Sequence, residues 1–181
     1  MPNSIAQSTL LVPVPAAEPW VKDLRERYDP TAAVGVPAHI TVLFPFISPD
    51  LITDDDLAKT TETFQRFQPF KFRLERVGRF PESLYLVPEP DEPFISLTEV
   101  IVREFPEYPP YGGKFTEIVP HLTVADRSAE LSDIAEAELL GIMKELGPIH
   151  AVCNVVELYE NSTGHWRWAQ SFSLKENKLC C

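Results

Sequence analysis

The spacing of apolar residues changes period repeatedly along this chain, and each change marks an element. Thr9 to Val14 is a short apolar run ended by prolines, which reads as a strand that cannot continue inside a sheet. Trp20, Val21, Leu24 and Tyr28 then recur at helical spacing behind Pro19, which sits in a first turn; Asp29-Pro30 stops that helix and Thr31 to Val36 reads as a loop. Strict alternation begins at Pro37-Ala38-His39-Ile40-Thr41-Val42-Leu43-Phe44-Pro45-Phe46, a half-buried strand with His39 and Thr41 on one face and Ile40 and Val42 on the other. A helix over 54–67 follows, with Thr53 as its cap and Asp56 three residues on. Its acidic start, Asp54-Asp55-Asp56, offsets the positive end of the helix dipole and needs no metal to explain it.

A strand over 70–80 comes next, with Gly78 as a candidate bulge, and Pro81-Glu82 turns the chain into an apolar and therefore central strand, Leu84-Tyr85-Leu86-Val87. Pro93 opens a helix through Leu97 and Ile101 to Phe105. Glu107 to Phe115 is a Pro- and Gly-rich loop leading to Pro120-His121-Leu122-Thr123-Val124-Ala125-Asp126, a second alternating strand with the same His-x-Thr on its polar face. A helix over 128–146, a strand over 149–159, a turn at Asn161 to Gly164 and a strand over 166–174 complete the pattern; the tryptophans of that last strand are expected in the core.

The second His-x-Thr is one sign of a longer duplication. Leu84 lies as far beyond His39 as Trp166 lies beyond His121, and motif strand, helix, strand, turn and strand follow in the same order each time. The fold class expected is α+β: two pseudo-symmetric lobes of βα units with two antiparallel sheets around a central cleft. Each motif strand is expected near the centre of its lobe, its polar face toward the other, so that the two histidines meet. Residues 1–175 read as one such domain and 176–181 as a tail.

Composition narrows the partners. The 181 residues carry a net charge of −11 and no Lys/Arg cluster, so a long nucleic acid would be repelled; a phosphate-bearing ligand should be small or the end of a chain. With no run of apolar residues able to span a bilayer and no secretory leader, the chain reads as a cytoplasmic protein, expected to be monomeric. Cys153 and the terminal Cys180-Cys181 have neither the number nor the spacing of a disulfide framework or a zinc site; the terminal pair reads as tail rather than lipidation signal.

Two facing imidazoles can hold opposite protonation states near neutrality, one taking a proton while the other gives one. Two hydroxyls beside them can donate to the oxygens of a phosphate. That arrangement suits in-line displacement at phosphorus, with no metal or other cofactor required; neither a zinc-binding motif nor a nucleophile elbow is present. Tyr111 and Phe115 are available to stack on a flat ligand, and Arg127 and Arg167 are further candidates to line the cleft.

The paired His39-x-Thr41 and His121-x-Thr123, with the duplication around them, resemble the 2H phosphoesterase superfamily and its 2′-5′ RNA ligase-like members over residues 4 to 174. The resemblance implies a bilobal fold acting without metal on 2′,3′-cyclic phosphates or 2′-5′ linkages. His39 and His121 would then be catalytic, and Thr41 and Thr123 phosphate-binding. Hydrolysis of a cyclic phosphate on a small nucleotide or RNA end, leaving a 2′-phosphate, is the expected activity; cleavage or ligation of 2′-5′ linkages and nucleotide binding without turnover are the alternatives. Ligase-type members often carry an arginine soon after the second motif, whereas here Asp126 comes first and Arg127 follows.

Overall fold

A computed structural model describes residues 6–115 and 117–175; the tail 176–181 with Cys180-Cys181 lies outside them. Strands β1 (Ser8–Pro13) and β2 (His39–Leu43) flank helices α1 (Glu18–Tyr28) and α2 (Pro30–Ala33). Helix α3 (Asp54–Phe64) leads to the hairpin of β3 (Phe70–Arg79) and β4 (Ser83–Glu89). Helix α4 (Glu92–Glu104), strand β5 (Leu122–Asp126) and helix α5 (Ala129–Leu146) follow, then β6 (Ile149–Cys153), β7 (Val155–Glu160) and β8 (Arg167–Ser173).

Local chemistry explains most of these boundaries. Thr53 and Asp56 form a reciprocal capping box: the Thr53 hydroxyl accepts the Asp56 N–H at 3.2 Å and the Asp56 carboxylate accepts the Thr53 N–H at 2.9 Å. Ser128 caps α5 by accepting the Leu131 N–H, and Gly147 ends that helix at φ 78°, a left-handed backbone that glycine enters without strain. The loop expected from Thr31 contains a turn of helix instead. Asp29, which ends α1, starts α2 by accepting the Thr31 N–H at 2.9 Å, with Pro30 in the first turn.

Two four-stranded sheets form, each antiparallel throughout, in the orders β2-β1-β7-β8 and β5-β4-β3-β6. Here the structure departs from the sequence reading in three ways. The expected strand over 149–159 is two strands: β6 belongs to the second sheet and β7 to the first, and the break falls at exposed Asn154. The repeats therefore exchange elements: the β3–β4 hairpin that follows the first motif pairs with β5 and β6 of the second half, and β7 and β8 of the second half join β1 and β2. Finally, the motif strands are not central: β2 and β5 are the edges of their sheets, and these two edges lie against each other. An edge strand has one backbone side unpaired, so its polar face is open along a seam rather than sealed within a sheet.

Helices close the remaining faces. α1 packs on α5 and β5, α4 on β2, and α3 on α4 and β8. One contiguous buried cluster runs through both sheets, joining Leu10, Ile40 and Val156 to Leu74, Leu86 and Val124. The tryptophans of the last hairpin are not in it. β8 is the outer edge of its sheet, so Trp168 is 55% exposed with its indole N–H donated to Ser171, and Trp166 is half-buried edge-on against Phe44. Gly78 is not a bulge either; the register of β3 shifts between Leu74 and Arg76. A Cβ at Gly78 would lie 2.2 Å from the Tyr85 ring, so glycine there makes room for that aromatic.

Candidate active site

His39 opens β2 and His121 immediately precedes β5, both half-buried and at the meeting edges of the two sheets. Each ring is held by the same short-range bond: His39 Nδ1 lies 2.8 Å from the Pro37 carbonyl and His121 Nδ1 2.6 Å from that of Val119. A carbonyl only accepts, so Nδ1 carries the proton in both rings. Nε2 is thereby left as an unprotonated acceptor on each.

Burial keeps both rings neutral. It pushes the His39 imidazolium down to about 4, opposed by the Pro37 carbonyl and reinforced by the charge of Arg25. Burial also lowers His121, against the Val119 carbonyl and the negative charge of Asp126, which favour its protonated form. The two rings stand at edges that lie against each other, and a charge on His121 disfavours one on His39. Such a pair holds one proton more readily than two.

The surroundings of the two rings differ. The segment ahead of His39 is clamped by α1 and by the residue following β1: Arg25 donates to the Val36 carbonyl at 3.1 Å, Glu18 accepts the Ala38 N–H at 3.2 Å, and Val14 N–H donates to the Ala38 carbonyl at 2.8 Å. Arg25 is itself fixed by Asp29, both fully buried, through bonds of 3.0 and 2.9 Å from Nε and Nη2 to one carboxylate oxygen. Among the described residues, the stretch ahead of His121 has no comparable clamp. His121 is instead walled by aromatic rings, Phe80 edge-on at 5.3 Å and Tyr85 also at 5.3 Å. The room that Gly78 leaves for Tyr85 thus bears directly on this imidazole.

Thr41 and Thr123 share the polar faces of their strands with the histidines, and both are half-buried. Thr41 lines a cavity of about 500 Å³ with Phe44, Glu99 and Arg103. His121 lines another of about 610 Å³ with Phe80, Ser83 and Asp126. Tyr111, Phe115, Glu117 and Val119 border both, so these are two arms of one cleft separated by the loop. Tyr111 is the divider. Its backbone is left-handed at φ 51°, a costly conformation for a non-glycine residue, and is held there by its N–H donated to the Phe44 carbonyl at 2.6 Å. Its half-buried side chain packs against Phe44 and Phe115 and turns its hydroxyl toward Thr41. Phe115 is 65% exposed at the mouth.

The two arginines singled out from sequence are placed differently. Arg127 is exposed in the turn after β5, beside Asp126, and is not among the residues lining either arm. Arg167 points out of the edge strand β8, where it pairs with Glu160 and donates to Ser162 over a separate shallow hollow. Alternation along the strand assigned it a face; only the strand order shows that this face is remote from the motifs. Sequence reading missed Arg103, the aromatic pair Phe80 and Tyr85, and the Arg25–Asp29 clamp. Among the described residues no group of three or more His, Cys, Asp or Glu side chains is placed to hold a metal ion.

Two sheets meeting at motif edges, with one His-x-Thr on each, define a two-histidine, bilobal class of fold. Residues 12–165 match the family model described as the 2′-5′ RNA ligase superfamily. The chain is 30% identical over 165 residues to a Bacillus mycoides strain KBAB4 protein whose name describes it as a presumed phosphoesterase, covering 85% of this chain and 88% of that one. A Bacillus cereus strain G9842 protein with the same description is 30% identical over 161 residues, covering 83% and 86%. Among solved structures, the fold is similar to that of E. coli LigT in apo form, with TM-score 0.57 and 16% identity over 95% of this chain and 99% of that one. LigT complexed with 3′-AMP aligns at TM-score 0.56 and 14% identity, again over 95% and 99%. The chain belongs to the 2′-5′ RNA ligase superfamily, the 2H phosphoesterases.

Proposed function

We propose that this chain is a metal-independent phosphodiesterase that hydrolyses 2′,3′-cyclic phosphates, on small nucleotides or RNA ends, by acid-base catalysis between His39 and His121. The observation that carries the reading is the matched state of the two rings: each has its proton on Nδ1 and a free Nε2, and they stand at the two edges that lie against each other. A bound phosphate anion reverses the cost of imidazole protonation, because a nearby negative charge favours the protonated ring. One ring then acts as acid while the other accepts a proton from water. Water attacks phosphorus, one ribose P–O bond breaks, and the leaving oxygen takes the acid's proton. Thr41 and Thr123 donate to the non-bridging oxygens, where preorganised donors stabilise the charge of the transition state. The net charge of −11 favours a small substrate over a long polyanion.

The family model's description favours a second reading, action on 2′-5′ phosphodiester linkages. The two are separated by measuring turnover of 2′,3′-cyclic mononucleotides beside that of 2′-5′-linked dinucleotides, all in excess EDTA. Faster turnover of the cyclic substrates is expected. Turnover confined to the linear dinucleotides would favour the second reading, and turnover of neither would leave a nucleotide-binding module.

A further inference from the structure

The two arms of the cleft differ in chemistry. The arm beside Thr41 contains a cation, Arg103. Among the described residues the arm beside His121 contains none: its polar lining beyond the histidine is Ser83, Tyr111, Glu117 and Asp126, and the rest is apolar, including Phe80, Pro81 and Phe115. At about 610 Å³ it is of ordinary size for a small-molecule site. A second phosphate would meet two carboxylates there. A flat, uncharged ring with N–H donors would meet aromatic surface and acceptors.

Asp126 is built into position. It stands opposite Ser83 in the β4–β5 register, and one of its oxygens accepts the Ser83 hydroxyl at 2.6 Å. That bond leaves the other carboxylate oxygen and a further lone pair free to accept. The four common nucleobases present different edges to such a group. Guanine offers two adjacent donors, N1–H and the exocyclic amine. Adenine and cytosine offer one donor beside a ring-nitrogen acceptor, which a carboxylate repels, and uracil offers one donor between two carbonyls.

We propose that the His121 arm is a nucleobase subsite selective for guanine, in which Asp126, oriented by Ser83, accepts from the Watson–Crick edge while Phe80 and Phe115 supply the stacking surface. This rests on the reading above only in taking the substrate to be a nucleotide. A well-formed bidentate contact discriminates by about tenfold or more.

The test uses binding of 2′- and 3′-GMP and of the matching uridine monophosphates by isothermal titration calorimetry, so it does not depend on turnover. Wild type should bind the guanosine nucleotides about tenfold tighter than the uridine ones. In Asp126→Asn, and again in Asp126→Ala, the ratio should fall to within about twofold of unity, with the change falling on the guanosine nucleotides. Ser83→Ala should reduce the ratio partially. Equal weakening of both nucleotides by Asp126→Asn would overturn the proposal and reduce Asp126 to an influence on His121; so would the absence of any base preference, or of any binding, in wild type. A guanosine preference without hydrolysis of any cyclic nucleotide would refute the catalytic reading and leave the subsite standing. Hydrolysis without base preference would do the reverse.

Discussion

Each imidazole owes its tautomer to a single carbonyl two residues behind it, Pro37 for His39 and Val119 for His121. That bond is a consequence of the motif's local geometry, so it is as repetitive as the sequence, and the His-x-Thr pairs were legible for that reason. What surrounds each ring was not. Phe80 and Tyr85 reach His121 through the β3–β4 hairpin and the register of β4 with β5, and nothing local to either aromatic marks it as part of a site. Proton uptake provides a test at this scale. The free rings are neutral at pH 7, His39 titrating near 4 and His121 below its ordinary value. A non-hydrolysable phosphodiester analogue, whose charge is constant over the range, should therefore bind more tightly as pH falls from about 7.5 to 5.5 and take up protons as it binds. His121→Asn should diminish that uptake. Calorimetry in buffers of different ionisation enthalpy would read it directly, and pH-independent affinity would contradict the assignment.

At the scale of elements, helices and their caps were readable because they depend on neighbours in sequence, whereas strand partnership was not. The capping box at Thr53 is a case of the first kind; Thr53→Val should cost about 1 kcal/mol in a denaturant titration while leaving activity unchanged. The split at Asn154 is a case of the second. Burial falls on Ile149 and Cys153 and then on Val156, Leu158 and Glu160, so the inward-facing parity flips at Asn154 where the chain changes sheets. That phase slip is present in the sequence as the adjacent pair Val155-Val156, but a phase slip alone does not distinguish a bulge from a change of sheet. The Arg25–Asp29 clamp also belongs to this scale, since α1 uses it to hold the segment that leads into β2. Asp29→Asn leaves Arg25 buried without its counter-charge, which costs about 3 kcal/mol or more of stability. Assayed below its melting temperature, the variant should lose kcat with little change in KM, because the imidazole is misplaced while the hydroxyls proposed to hold the phosphate, Thr41 and Thr123, remain. A fall in stability with kcat intact would reduce the pair to a structural role.

For the molecule as a whole, the exchange of β3–β4 and β7–β8 between the repeats is what turns two lobes into one body. Neither sheet is made from a single repeat, and one core runs through both, so the facing of the two motif edges is set by the core rather than by a hinge. The duplication in sequence indicated two matching units and a shared cleft. It could not show the exchange, because a repeat has the same sequence whether its later strands pair at home or next door. Two-histidine catalysis across these edges is testable in one measurement: kcat/KM for 2′,3′-cyclic nucleotides, in excess EDTA, for wild type beside His39→Ala and His121→Ala. Turnover that survives chelation and falls by about 10²-fold or more in each variant is the predicted result. Turnover that either variant retains in full, or that chelation abolishes, would contradict two-histidine catalysis.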